Sequence, residues 1–244
     1  MALHTRQLGV GDPLNGGAIS LDVDADLVLD LVKCARNNDV SLSAILFGSA
    51  AYALRKWTAQ DDYTVGTVMS LRDKESARHV VGMLVQMVLV RITTHLDGEV
   101  AENVRSIHES LRGALAHRFT PLPILIDSLQ LPRDAAENKV FDVMINFHPF
   151  ADVGFDGLAA PFSAIHFIDN STANAGLSLD FYEWEPGAIR LKVTYCKNLY
   201  SEVVIHELAK DVRQWLRVFS EGLSSDPVID VGNFRSGMVR ERIL

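Results

Sequence analysis

Apolar residues recur along the chain with two different periods, and the changes of period predict alternating helices and strands. A spacing of three and four residues predicts helices over 25–37, 42–57, 98–117 and 202–223. Asp24, Ser41 and Ser201 stand directly before three of these stretches, where a side chain can cap the first turn. A short helix is also expected after Pro121 and Pro123 interrupt the third stretch.

Strands are predicted where β-branched residues cluster or apolar and polar residues alternate. The segments are 18–23, 63–69, 85–92, 141–148, 162–168, 177–184 and 189–195. The runs 63–69 and 85–92 are apolar enough to predict central strands covered on both faces, with a charged surface loop over 71–75 between them. The predicted fold class is α/β, an α+β two-layer sandwich in which helices pack on a mixed sheet.

The chain is expected to form one domain over residues 18–223, with a polar, glycine-rich leader at 1–17 and a tail at 224–244. A composition of 48% hydrophobic and 22% charged residues suits a packed core. The net charge of −8 argues against nucleic acid and anionic membranes as partners. No apolar run approaches the roughly 20 residues of a membrane span, so a cytoplasmic location is expected.

The common catalytic signatures, such as GxSxG and HExxH, do not occur in the sequence. The 8 histidines show no metal-ligand spacing, and no metal site is predicted. Among the histidines the exception is His148, because in the strand 141–148 the polar residues Asp142, Asn146 and His148 share one face, opposite apolar residues. Such a face can line a cleft, or it can face solvent or a helix.

Several segments, in the same order, resemble the condensation domains of nonribosomal peptide synthetases, which belong to the chloramphenicol acetyltransferase-like superfamily. Residues 57–67, which contain Gly66, resemble the GxDDxxVGTP motif, and residues 81–91 resemble IGxFVNTxxxR. The segment 116–122 stands where HQDxPFE is expected, 133–141 where RDxSRNPLF is expected, and 177–200 matches the ending of the family. The motif residues that we assign to structure are Gly66, Gly82, Arg91, His117, Arg133, Asp134 and Phe141.

The resemblance covers residues 18–223 and corresponds only to the C-terminal lobe of the two-lobed domain. It implies that Met83, Val85, Gln86, Asn146 and His148 border a substrate tunnel, and that 149–176 bridges to the other lobe. The family's HHxxxDG sequence belongs to the N-terminal lobe and does not occur here. The implied partners are therefore a separate N-terminal lobe and carrier proteins. No bound cofactor is expected, because the phosphopantetheine arm is presented by the carrier.

Three functions stay open on the sequence. In the first, the chain is one lobe of a peptide-bond-forming acyltransferase that is active only with the missing lobe. In the second, it is a non-catalytic module that forms a homodimer or binds carrier proteins. In the third, it is an autonomous thioester hydrolase or cyclase, for which His148 is the candidate base.

Overall fold

The computed structural model describes residues 15–72, 75–95, 99–129, 140–149, 172–173 and 175–224. Six strands and six helices lie within these ranges. The strands are β1 (Gly16–Asp22), β2 (Asp62–Ser70), β3 (Val85–Thr93), β4 (Val143–His148), β5 (Leu177–Glu185) and β6 (Ala188–Cys196). The helices are α1 (Ala25–Asn37), α2 (Leu42–Thr58), α3 (Glu75–Arg78), α4 (Val100–Ala116), α5 (Leu122–Ser128) and α6 (Glu202–Ser224).

The described strands form one mixed sheet in the order β1-β6-β5-β4-β2-β3. Strand β4 runs parallel to both of its neighbours, β2 and β5, while the other neighbouring pairs are antiparallel. The mixed sheet with packed helices confirms the predicted fold class.

Helices α1, α2, α4 and α6 contact one another and cover one face of the sheet. Alternate strand residues such as Ile145, Leu179 and Val193 point into this layer and are fully buried. Helix α2 is buried around most of its surface, which places it at the centre of the helical layer. The side chain of Ser41 accepts the Ala44 N–H at 3.2 Å, as the predicted cap requires.

Four sequence expectations differ from the structure or lie outside it. Strand β2 is interior, as predicted, but β3 is the last of the six described strands, and its Val85 is 42% exposed. An apolar run therefore did not distinguish a central strand from an edge strand here. The short helix α3 begins at Glu75, the last residue of the expected charged loop, and β1 begins at Gly16, two residues before the expected start. The predicted strand 162–168 lies outside the described residues.

Candidate functional site on the polar face of the sheet

Strand β4 alternates between the two sides of the sheet from Val143 onward, as predicted, whereas Phe141, expected on the side of Val143 and Ile145, packs against Gly66 on the other side. Val143 and Ile145 point into the helical layer, while Asn146 and His148 lie on the opposite side of the sheet, here called the polar face. The parallel register with β5 pairs Asn146 with Asp180 and His148 with Tyr182. The polar face therefore acquires a set of neighbouring side chains from two strands. We call them the Asp180 cluster: Asn146, His148, Ser178, Asp180 and Tyr182.

The carboxylate of Asp180 is the centre of this cluster. Its Oδ1 accepts a hydrogen bond from Asn146 Nδ2 at 2.8 Å and lies 3.3 Å from His148 Nε2. Its Oδ2 accepts a hydrogen bond from Ser178 Oγ at 2.6 Å. The side chain is only 13% exposed, whereas that of His148 is 44% exposed. A largely buried carboxylate thus holds a solvent-accessible imidazole in place.

The electrostatics of Asp180 follow from these contacts. Burial by itself raises the pKa of the carboxyl, but hydrogen bonds from His148, Ser178 and Asn146, with the charge of His148, outweigh it. The pKa of Asp180 is therefore below its ordinary value, and the group is ionised at neutral pH. An ionised carboxylate only accepts hydrogen bonds, so each of its three neighbours must act as a donor.

The ring of Tyr182 stacks on one face of the His148 imidazole. The two rings stack with centroids 4.3 Å apart and an angle of 8° between their planes. Burial and then the charge of Asp180 raise the pKa of Tyr182 to about 12, so its hydroxyl stays protonated. Stacking on one side and the Asp180 contact at Nε2 restrict the orientation of the His148 ring.

Asn146 also connects β4 to β2. Its Oδ1 accepts the Val68 N–H at 3.0 Å and the Thr67 hydroxyl at 3.3 Å. The β2–β4 ladder contains one pair, Gly66 with Met144, so the Asn146 side chain provides the link where the backbone pairing stops. The residue is 5% exposed, and its amide is fixed on both sides.

Gly66 and Phe141 come together on the polar face. A Cβ at Gly66 would lie 2.5 Å from Phe141 Cε2, so the phenylalanine ring packs directly against the glycine backbone. The absence of a side chain at Gly66 is therefore needed for this contact. The two motif residues, 75 positions apart in sequence, form one packing unit beside β4.

The segment before β3 is exposed and apolar. Val81 is 100% exposed and Met83 87% exposed, and the Arg72 guanidinium donates to the carbonyls of Ala77, Val80 and Gly82 at 2.7–2.8 Å. Gly82 has a φ of +149°, a conformation that favours glycine. We call residues 80–85 the apolar loop. The hydrogen bonds from Arg72 hold the backbone at the start of this loop, and the side chains of Val81 and Met83 are exposed.

The remaining predicted site residues lie apart from the Asp180 cluster. Val85 pairs with Ser70 on the polar face, whereas Gln86 alternates with it and lies on the side that the helices cover. Arg91 makes a bidentate ion pair with Asp62 at 2.8 and 2.5 Å, and His117 is the exposed C-cap of α4. Arg133 and Asp134 lie outside the described residues.

Sequence reasoning missed Ser178, Asp180 and Tyr182. These residues alternate with the buried Leu177, Leu179 and Phe181, and that alternation was the available signal. Nothing in the sequence indicates that β5 pairs with β4 in this register. Within the described ranges, no group of three His, Cys, Asp or Glu residues could hold a metal ion, and no helix is both long and apolar enough to cross a membrane.

The fold agrees with solved structures. A four-domain nonribosomal peptide synthetase bound to AMP and glycine superposes with a TM-score of 0.74 at 15% identity, over 94% of this chain and 19% of that one. The first condensation domain of the CDA synthetase superposes with a TM-score of 0.68 at 16% identity, over 91% of this chain and 48% of that one. The chain has the chloramphenicol acetyltransferase-like α/β fold.

The family follows from the sequence itself. The profile of the family described as "Condensation domain" matches residues 6–226, and the chain belongs to that family. It is 26% identical over 205 residues to tyrocidine synthase 2 of Brevibacillus parabrevis, and 25% identical over 199 residues to bacitracin synthase 3 of Bacillus licheniformis. These matches cover 83% and 80% of this chain but only 6% and 3% of the relatives. The membership of the condensation-domain family that the motifs predicted is confirmed.

Proposed function

We propose that this chain is the C-terminal lobe of a condensation domain in nonribosomal peptide biosynthesis. It forms one wall of a tunnel in which an acyl thioester and an amine form an amide or ester bond. A separate N-terminal lobe supplies the HHxxxDG sequence, so the chain is an acyltransferase only in that complex. The lobe boundaries 18–223, with connecting segments at 1–17 and 224–244, stay a prediction.

The observation that carries this proposal is the anchored pair of Asn146 and His148 on the polar face. Both side chains contact Asp180 Oδ1, and Asn146 is also bonded to β2. Their polar atoms are held rigidly on strands rather than on loops. A wall built in this way can orient the acceptor substrate by hydrogen bonds. Because its side chains are already ordered, they lose little conformational entropy when the substrate binds.

Orientation is the main requirement of the proposed reaction. An acyl thioester is already activated, so the amine needs to be held against its carbonyl carbon. Positioning of two reactants can lower a barrier by roughly 7–11 kcal/mol. A lobe that shapes the tunnel can therefore be essential to the reaction even though the family's HHxxxDG histidines lie elsewhere.

The apolar loop is the proposed contact with the N-terminal lobe. Val81 and Met83 are almost fully exposed, and clustered exposed apolar side chains mark interaction surfaces. Carrier proteins would then deliver phosphopantetheine-linked substrates along the seam, where Met83 and Val85 border the tunnel. Gln86, which was also expected to border the tunnel, lies on the opposite face of β3 and is left out of the proposed wall. The family membership favours neither the self-associating module nor the autonomous hydrolase.

The proposal is tested by combining the chain with the polypeptide segment that carries HHxxxDG, from the same gene or a neighbouring one. We expect a one-to-one complex that forms amide from aminoacyl carrier thioesters, whereas neither part does so alone. Amide formation by the chain by itself, or no complex at any concentration up to about 100 µM, where binding would be weaker than about −5.5 kcal/mol, contradicts the proposal.

Two matched pairs of variants sharpen this test. Met83→Glu is expected to weaken the complex at least tenfold, while Leu29→Glu, at a 52% exposed site on α1, leaves it unchanged. Asn146→Leu is expected to lower the rate of amide formation about 100-fold, and Asn37→Leu at the exposed end of α1 is the control. Circular dichroism checks that each variant is folded. If Asn146→Leu does not fold, Asn146→Ser is measured in its place.

A further inference from the structure

We propose that His148 accepts the proton that the acceptor's ammonium group must lose before it attacks the thioester, and that Asp180 is its positioning residue. The inference rests on the proposed function and deepens it, because it assigns a chemical role to one side chain of the tunnel wall. Three features carry it: the tautomer that Asp180 imposes, the exposure of the imidazole and the distribution of charge around it.

Asp180 selects one tautomer of His148. The ionised carboxylate cannot donate, so the contact of 3.3 Å between Asp180 Oδ1 and His148 Nε2 is a hydrogen bond only if Nε2 carries the hydrogen. In the neutral imidazole the second nitrogen, Nδ1, then keeps its lone pair. With 44% of its side chain exposed, His148 can present that lone pair to a ligand on the polar face.

The charges around the ring stabilise the imidazolium that proton transfer produces. Asp180 is the nearest charge, and Tyr182 stays neutral beside it. On the next strand, β6, Lys192 is the cross-strand partner of Asp180, and Arg190 is paired with Asp22. Helix α2 packs on the other face of β4 and carries Arg55 and Lys56, which pair with Asp61 and Asp211. The carboxylate in direct contact with the ring therefore dominates.

The proposed step balances without any further reactant. An N–H bond of the acceptor ammonium breaks, and its proton bonds to His148 Nδ1. The free amine then attacks the thioester carbonyl carbon, the C–N bond forms and the C–S bond breaks. The attacking nitrogen loses its second proton to the departing thiolate, which leaves as a thiol, and the imidazolium returns the first proton to solvent. An α-amino group has a pKa of about 8, so most of the acceptor is protonated at pH 7 and the transfer is needed.

The first arm of the test measures the tautomer in the full chain. Long-range ¹H–¹⁵N spectra distinguish the two neutral forms by the shifts of the ring nitrogens. We expect His148 in the Nε2–H form, and we expect Asp180→Asn to shift it towards a mixture. His206 is the reference ring, because its Nε2 lies 3.6 Å from Glu202 and its side chain is 54% exposed. A dominant Nδ1–H form of His148 in the unsubstituted chain overturns the inference.

The second arm measures amide formation against pH in the complex with the HHxxxDG segment. His148→Gln is expected to lower the rate about 100-fold at pH 7, in the range typical of a general base. The loss should shrink to about tenfold at pH 9, because the acceptor has then deprotonated by itself. His206→Gln should change the rate at neither pH. A loss that is equal at both pH values indicates a structural role and overturns the inference.

The two arms separate this inference from the proposed function. If the complex forms amide and His148→Gln has no effect on the rate, the proposed function is retained, but the inference is overturned because another group accepts the proton. If the complex forms no amide, the proposed function fails. The tautomer measurement still decides whether Asp180 prepares His148 as an acceptor.

Discussion

Asp180 shows how one buried charge can organise several side chains. Its oxygens receive hydrogen bonds from Asn146, His148 and Ser178, so the carboxylate stays ionised although only 13% of it is exposed. Each donor also takes its orientation from that contact. Removing the charge would therefore change the arrangement of the whole Asp180 cluster and leave Asn146 Nδ2 without its acceptor.

The lowered pKa of Asp180 predicts how the stability of the chain depends on pH. Because the folded-state pKa lies below the unfolded value of about 4, the carboxylate contributes stability above pH 4 and loses it as the pH falls through the folded pKa. Asp180→Asn should lower the free energy of unfolding by about 1–3 kcal/mol at pH 7. The difference should narrow below pH 4.

Urea unfolding at pH 7, 5 and 3.5 measures this difference. The control is Asp30→Asn, whose carboxylate pairs with Lys33 at the surface and is 54% exposed. That substitution should change the free energy of unfolding by less than about 1 kcal/mol. A penalty for Asp180→Asn that is the same at all three pH values would show that the charge of the carboxylate is not what stabilises the cluster.

At the scale of the elements, the helices and the two faces of β4 could be predicted from the sequence, but their partners could not. The hydrophobic period placed α1, α2, α4 and α6 within a few residues, but Asp24 makes no side-chain cap hydrogen bond on α1 and pairs with Arg217 instead. The alternation in β4 separated Asn146 and His148 from Ile145. Asp180 lies 32 residues beyond His148, and a local pattern carries no information on which strand pairs with β4. The position of β3 at the end of the described strand order was missed for the same reason.

The contact of β2 with the segment before β4 predicts a large effect of one methyl group. Gly66→Ala would place its Cβ 2.5 Å from the Phe141 ring, so the ring must move, at a cost of about 1–3 kcal/mol. Thermal or urea unfolding measures the loss. In the Phe141→Leu background the same substitution should cost less, because the shorter side chain leaves room for the methyl group.

Gly113→Ala provides the matched control for this prediction. Gly113 lies on the exposed face of α4, with no atom within 4 Å of a built Cβ. Replacing a helical glycine by alanine should raise the free energy of unfolding by roughly 0.5–1 kcal/mol. Equal effects at positions 66 and 113 would mean that Phe141 does not restrict Gly66.

At the scale of the whole molecule, the helical layer lies on one side and the candidate site on the other. Helices α1, α2, α4 and α6 cover the apolar side chains on one face of the sheet. In the proposed function, the N-terminal lobe contacts the Asp180 cluster and the apolar loop, which these helices do not cover. The superposition on the first condensation domain of the CDA synthetase covers 91% of this chain and 48% of that one.

Hydrogen exchange can test this arrangement directly. When the HHxxxDG segment is added, amides of residues 80–87 and of β4 should exchange at least tenfold more slowly, because a partner covers them. Helix α1 is the internal control, since it lies in the helical layer and should keep its exchange rates. Slower exchange in α1 without slower exchange in residues 80–87 would show that the partner binds to the helical layer, and this would contradict the proposed arrangement.

The two-sided character of β4 also restricts how this protein can change during evolution. An insertion or deletion of a single residue inside the strand would rotate every later side chain to the other side. Asn146 and His148 would then lie among the core aliphatics, and their apolar neighbours would replace them opposite Asp180. Length variation in this family should therefore avoid β4 and accumulate in the connections on either side of it.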